Sequence, residues 1–128
     1  MGCTRGDYAL KLRDDFLDGN VDVHAPNIIL LEAASALRKY SLRGFIGRDV
    51  AEKALELIAN SEIRLHEIDL NIALKSLKTT LDSNVTVYDA AYITLASNLG
   101  AIMYTADDKL LNNQKVLKLK MVKHIKDY

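Results

Sequence analysis

Short apolar segments alternate with longer segments of helical periodicity, and this alternation constrains the fold of the chain more than any other feature. Strand-like runs cover residues 21–25, 63–68, 101–105 and 121–125, and helical patterns separate them. Parallel strands need crossover connections, which helices usually supply. We therefore predict an α/β layer fold with a short parallel sheet flanked by helices and joined by right-handed crossovers.

Helical periodicity and capping residues predict six helices. Gly19, Gly44 and Gly100 are placed to end three of them, and Asp69 and Thr86 are placed to begin two. The predicted helices cover residues 7–18, 26–42, 48–60, 69–81, 86–99 and 107–113. The second and third of these helices are expected to form a helical hairpin.

Length and composition place the chain among globular proteins. Its 128 residues suit one domain, and 49% hydrophobic with 27% charged residues excludes a disordered chain. One proline and six glycines are too few turn signals for an all-β fold.

Cysteine usage and hydropathy bear on location. The single cysteine, Cys3, cannot form an internal disulfide, so a reducing cytoplasm is expected. The longest stretch without a charge, residues 90–106, is too short and too polar to span a bilayer, so no membrane partner is predicted.

Glu32 interrupts the most apolar helical segment. Residues 28–31 and 33–34 on either side of it are all apolar, so a helix there should place the carboxylate close to buried surface. A carboxylate in that position needs a cation, a hydrogen-bond donor or a proton. An ion pair at the edge of the core is the simpler explanation, and a functional site is the alternative.

Three further acids lie at the ends of predicted elements. Asp89 follows Thr86 in a pattern that resembles a capping box, which alone would account for it. Asp107 and Asp108 come directly after the apolar run 101–105, where they could merely favour a helix N-terminus. Ligands of parallel sheets bind at the carboxyl ends of the strands, so both aspartates are also site candidates.

The chemistry of a shared site follows from the acids themselves. If the fold brings Glu32, Asp89 and Asp107 close together, their mutual repulsion must be offset, and a divalent cation would do so. The sequence shows no cysteine cluster, and its three histidines are far apart along the chain, so no histidine pair is expected. An oxygen-only site suits Mg²⁺ or Mn²⁺ better than zinc.

Three motifs of this sequence resemble the second, third and fourth acidic motifs of PIN-domain ribonucleases, and most of all the VapC toxins. The motifs are Ile29-Leu30-Leu31-Glu32-Ala33-Ala34-Ser35-Ala36-Leu37-Arg38, Val87-Tyr88-Asp89-Ala90-Ala91-Tyr92 and Tyr104-Thr105-Ala106-Asp107-Asp108-Lys109-Leu110. The resemblance covers residues 7 to about 125 in the family's order. It implies a PIN-like three-layer fold over a single domain, residues 1–128.

The resemblance also implies an activity and its partners. The expected protein is an endoribonuclease dependent on Mg²⁺ or Mn²⁺, usually a homodimer, and inhibited by a small antitoxin protein. Glu32, Asp89 and Asp107 would be the catalytic metal ligands, Asp108 an accessory ligand, and Thr105 a nearby hydroxyl. The family opens with a central strand that carries its first acid, and only residues 1–6 precede the first predicted helix here. We therefore expect that strand to be missing.

Basic residues supply candidate contacts to RNA. Six lysines and one acid occur from Lys109 onward, and Arg38 belongs to a second basic group near the hairpin turn. Lys109 and Arg38, together with Thr105, are the candidate substrate contacts. Lysines that protect an exposed edge strand would explain the C-terminal group equally well.

Two other functions are consistent with parts of the sequence. A catalytically inactive or truncated PIN-like module could dimerise and bind the antitoxin without cleaving RNA. A helical DNA-binding module ranks lower, because it would leave the strand–helix alternation and Glu32 unexplained.

Overall fold

A computed structural model describes the backbone of residues 5–128 and the side chains from Asp7 onward. Cys3 and most of the segment expected to lack the family's first strand lie outside the described residues. No helix in the described part of the chain is long and apolar enough to cross a membrane.

Seven α-helices and four strands occur within residues 5–128. The elements are α1 (Arg5–Leu17), β1 (His24–Pro26), α2 (Ile29–Leu42), α3 (Arg48–Ala59), β2 (Arg64–His66), α4 (Leu70–Ser83), α5 (Val87–Leu99), β3 (Met103–Thr105), α6 (Asp108–Leu111), α7 (Gln114–Leu117), β4 (Val122–His124) and a terminal 3₁₀ turn (Ile125–Asp127).

The predicted order of strands and helices is confirmed, and the strands are shorter than expected. Each strand has three residues. The sequence did not predict α7. Asn113 is the N-cap of this helix, because the Asn113 side chain accepts the N–H groups of Lys115 and Val116.

The chain divides into two compact units, each with one two-stranded parallel sheet. The smaller unit is Val23–Ile68, and the larger unit contains residues 5–22 and 69–128. In the smaller unit β1 pairs with β2, and in the larger unit β3 pairs with β4. The predicted parallel pairing is confirmed, although the strands form two separate sheets rather than one.

The smaller unit consists of its sheet and the α2–α3 hairpin. Gly44 adopts φ +75°, which glycine tolerates without steric cost, and its N–H donates to the Ser41 carbonyl to end α2. Neither α2 nor α3 contains a fully buried residue. The apolar side chains of the hairpin are therefore only partly covered.

A histidine pair joins the two strands of the smaller unit, contrary to the sequence-based expectation. His24 Nδ1 lies 2.8 Å from His66 Nε2, a hydrogen bond in which one ring donates and the other accepts. The expectation of no histidine pair was wrong because parallel pairing brings two distant segments side by side. His24 lies opposite Arg64, and its ring reaches His66, two residues further along β2.

The core of the larger unit gathers around α5, α6, α7 and β4. Its buried cluster consists of Ile93, Leu110, Val116 and Val122. Helix α5 is the most buried helix, and its Thr94 lies within hydrogen-bond distance of Ser76 on α4 (3.3 Å). Because Ser76 donates its proton to the Ile72 carbonyl at 2.7 Å, the Thr94 hydroxyl serves as the donor to Ser76.

Contacts with Tyr128 hold α1 in the larger unit. The Tyr128 hydroxyl donates to the Asp15 carboxylate, and Lys11 Nζ lies 5.2 Å from the centre of the Tyr128 ring. The hydrogen bond to Asp15 raises the pKa of Tyr128 to about 12, with smaller contributions from desolvation and nearby charge. The stabilisation from this bond is present below the ordinary pKa of tyrosine and is lost as the pH rises through about 12.

We predict that Leu110→Ala destabilises the larger unit by about 2–4 kcal/mol, because it opens a cavity in the buried cluster. Urea denaturation followed by circular dichroism measures the change. The control is Leu117→Ala on α7, whose side chain is about half exposed and should shift stability by less than about 0.5 kcal/mol. Equal losses for the two variants would contradict the assignment of this core.

Candidate functional site

The first candidate residues lie where β3 ends. The Thr105 hydroxyl oxygen accepts the N–H of Asp107 at 3.0 Å, which turns the chain sharply after the strand. Asp107 Oδ1 then accepts the N–H groups of Lys109 and Leu110 at 2.9 and 3.4 Å. Asp107 is therefore the N-cap of α6, in agreement with the simpler of its two sequence-based explanations.

N-capping uses only one oxygen of Asp107. Within the described residues no donor contacts the other oxygen, Oδ2, and the residue is exposed. A carboxylate has about four lone-pair sites. Asp107 can therefore cap α6 and still offer an oxygen to a cation.

Asp108 has a partner that the sequence did not reveal. His124 Nε2 lies 3.3 Å from Asp108 Oδ1, and the His124 side chain is only 15% exposed. His124 Nδ1 accepts the N–H of Lys126 at 3.0 Å, so in the neutral ring the proton sits on Nε2, the nitrogen that lies near Asp108. This contact links the start of α6 to the end of β4.

The position of His124 depends on strand register. His124 is the last residue of β4 and lies opposite Thr105, the last residue of β3. The sequence pattern indicated a strand at residues 121–125, but three-residue strands leave their register undetermined by the sequence. No local signal could have linked His124 to Asp108.

Asp89 lies in the first turn of α5 in the same unit. The Thr86 hydroxyl oxygen accepts the N–H of Asp89 at 3.1 Å, which is one half of the predicted capping box. Asp89 is half-buried, and the following Ala90 and Ala91 are buried. The small residues after Asp89 pack inward, while the carboxylate remains partly accessible.

Glu32 and Arg38 belong to the smaller unit and lie on α2. Both are exposed, so Glu32 does not have the buried surroundings that its apolar neighbours suggested. The reason is that α2 packs against α3 along one side and buries none of its own residues completely. Arg38 lines a cavity of about 260 Å³ between α2 and α3, together with Arg48 and Glu52.

The candidates are thus divided between the units. Asp89, Asp107 and Asp108, with Thr105 and Lys109, are in the larger unit, whereas Glu32 and Arg38 are in the smaller one. Among the described residues neither unit by itself contains three or more His, Cys, Asp or Glu grouped to hold a metal ion.

The donor chemistry nevertheless fits a hard divalent cation. Mg²⁺ is typically held by one or two carboxylates, with water and substrate phosphate completing its octahedron. The aspartates of the larger unit carry carboxylate oxygens of that kind, and no donor among the described residues contacts Asp107 Oδ2. The histidine pair of the smaller unit has no third metal-binding side chain grouped with it in the described part of the chain.

Comparison with known proteins identifies the family. The chain is 30% identical to ribonuclease VapC3 of Pyrobaculum aerophilum over 91 residues, which are 70% of this chain and 69% of the relative. The chain belongs to the VapC ribonuclease family. It is also 27% identical to ribonuclease VapC9 of Mycobacterium tuberculosis over 88 residues, 69% of this chain and 67% of that relative. No protein-family profile matches the chain.

The similarity to VapC ribonucleases confirms the VapC part of the resemblance drawn from the three acidic motifs. The resemblance rested on residues that now lie in α2, α5 and the turn from β3 to α6. The individual roles of these residues in VapC chemistry remain predictions.

The capping role of Asp107 leads to a prediction about the stability of two variants of this residue. Asp107→Ala removes the cap of α6 and should destabilise the larger unit by about 0.5–2 kcal/mol. Asp107→Asn keeps a capping oxygen and should cost only a few tenths of a kcal/mol, since Asn and Asp cap about equally well. Thermal denaturation of both variants measures the difference. Equal stability of the alanine and asparagine variants would contradict the capping role.

Proposed function

We propose that this VapC-family chain is an endoribonuclease that uses Mg²⁺ or Mn²⁺ to cleave RNA phosphodiester bonds. The observation that carries the proposal is its similarity to two VapC ribonucleases, over about 70% of the chain. The aspartates that follow β3 support it, because they lie at the carboxyl end of a parallel strand. These relatives are ribonucleases by name, so we prefer cleavage to the catalytically silent module.

The proposed metal ligands are Glu32, Asp89 and Asp107, with Asp108 as an accessory ligand. When bound, the ion would neutralise charge on the phosphodiester and activate a water molecule as the nucleophile.

The surrounding groups of the larger unit keep the aspartates in place. The N–H groups of Lys109 and Leu110 fix Asp107 Oδ1, and His124 Nε2 lies 3.3 Å from Asp108 Oδ1. We propose that the Lys109 ammonium and the Arg38 guanidinium contact RNA phosphates, and that the Thr105 hydroxyl lies near the scissile group.

We also propose a PIN-like three-layer arrangement and the partners that the family resemblance implies. A second copy of the chain and a small antitoxin would be its protein partners, and the cytoplasm its location. Exposed apolar side chains of the hairpin, among them Leu31, Leu42 and Phe45, provide surface for a protein contact.

The proposal predicts metal-dependent cleavage that the aspartates control. The purified chain with Mn²⁺ should cut labelled single-stranded RNA, and EDTA should abolish the activity. Asp89→Asn and Asp107→Asn should each lower the rate by about 100-fold or more, because each removes a charged ligand of the ion. Gel electrophoresis of the products measures the rates.

A matched control distinguishes the loss of a carboxylate charge at the proposed metal site from the same loss elsewhere on the surface. Asp18→Asn changes an exposed aspartate just after α1 and should leave the rate within about twofold. Intact RNA in the presence of the wild-type chain and Mn²⁺, or undiminished cleavage by Asp89→Asn, would contradict the proposed function.

A further inference from the structure

A groove in the larger unit is lined by none of the proposed metal ligands. Its cavity measures about 320 Å³ and is formed by the C-terminal halves of α4 and α5 and by the turn before β4. We call it the lysine groove and define it by Lys75, Lys78, Thr79, Ser97 and Asn98. Its apolar floor includes Ile93 of the buried cluster.

Hydrogen-bond donors dominate the polar lining of the lysine groove. Lys75 Nζ donates to Asn98 Oδ1 at 3.2 Å, which turns the Asn98 amide so that its Nδ2 donors face away from that lysine. No acidic side chain in the described part of the chain forms a salt bridge with Lys75 or Lys78. Two ammonium groups that lack a carboxylate partner constitute a receptor for an anion.

The ammonium group of Lys115 lies beside Asp82, the acidic residue in the lining of the groove. Asp82 lines the groove as well, and Lys115 Nζ donates to the Asp82 backbone carbonyl at 2.6 Å. The positive charge near the rim therefore exceeds the negative charge, although the whole chain has zero net charge. Such a local excess attracts a polyanion electrostatically.

The turn before β4 adds backbone strain beside the groove. Lys120 adopts φ +59°, the left-handed region that a lysine rarely enters, between the groove residues Leu119 and Met121. A glycine would take this conformation at lower cost.

Helix α5 carries both Ser97 of the lysine groove and Asp89, one of the proposed metal ligands. Ser97 follows Asp89 by eight positions on one helix, which corresponds to about 12 Å along its axis. One RNA strand can therefore touch both places within a few nucleotides. No aromatic side chain lines the groove among the described residues, so base stacking is not available there.

We propose that the lysine groove binds the phosphate backbone of the RNA strand a few nucleotides away from the bond that is cleaved. This inference rests on the proposed ribonuclease function and extends it to a second contact with the substrate. Its donors recognise phosphates without reading bases, so the contact supplies affinity and orientation rather than sequence preference. An acidic protein segment is the competing occupant, and the test distinguishes the two.

The test compares variants by RNA affinity and salt dependence. Fluorescence anisotropy of a labelled single-stranded RNA is measured in EDTA, so that the strand is not cut, over a range of salt concentrations. The double variant Lys75→Gln/Lys78→Gln should bind about tenfold more weakly at low salt and should lower the salt slope by about 1 to 1.5.

Two further variants control for charge and folding. Arg13→Gln/Lys53→Gln removes the same charge from exposed positions outside the groove and outside both basic groups, and should keep the wild-type salt slope. Lys75→Arg/Lys78→Arg retains the charge and should keep most of the affinity. Unchanged thermal midpoints for all variants show that they fold alike.

The outcomes separate this inference from the proposed function. If the wild-type chain cleaves RNA and Lys75→Gln/Lys78→Gln binds it as tightly as the wild type, the groove assignment is overturned and the ribonuclease proposal stands. If the wild-type chain neither binds nor cleaves RNA, both are overturned. Loss of poly-glutamate binding with unchanged RNA binding would assign the groove to an acidic protein and overturn the RNA assignment.

Discussion

Parallel pairing of β3 with β4 fixes the positions of the groups at the acidic end of the larger unit. The register places Thr105 opposite His124, and the chain then turns through the Thr105 hydroxyl into the Asp107 cap. Asp108 consequently lies within reach of His124, although the two are 16 positions apart in sequence. A slip of one residue would reverse the side on which each strand residue projects and separate these contacts.

Under the proposed function, Asp107 would serve both stability and chemistry. Its Oδ1 completes the hydrogen bonding of α6, and its Oδ2 has no donor within the described residues. A capping role and a metal-binding role are therefore compatible in this residue, and the capping explanation alone does not exclude the other.

Local sequence patterns predicted the elements well, because capping and periodicity act over a few residues. Asp69 and Thr86 begin α4 and α5, and Gly100 ends α5 at φ +63°, as their residue types indicated. The exposure of Glu32 was not predictable in the same way, since it depends on which elements cover α2. Neither the His24–His66 pair nor the His124–Asp108 contact has a local signal, because both require strand register between distant segments.

The account depends most on whether the aspartates of the larger unit bind a divalent cation. Electron paramagnetic resonance of free Mn²⁺ during a titration with the chain tests this directly, without RNA. We expect saturable uptake of Mn²⁺ that Asp89→Asn and Asp107→Asn each weaken at least tenfold, while Asp18→Asn leaves it unchanged. Equal uptake by the wild-type chain and both site variants would contradict the proposed metal centre.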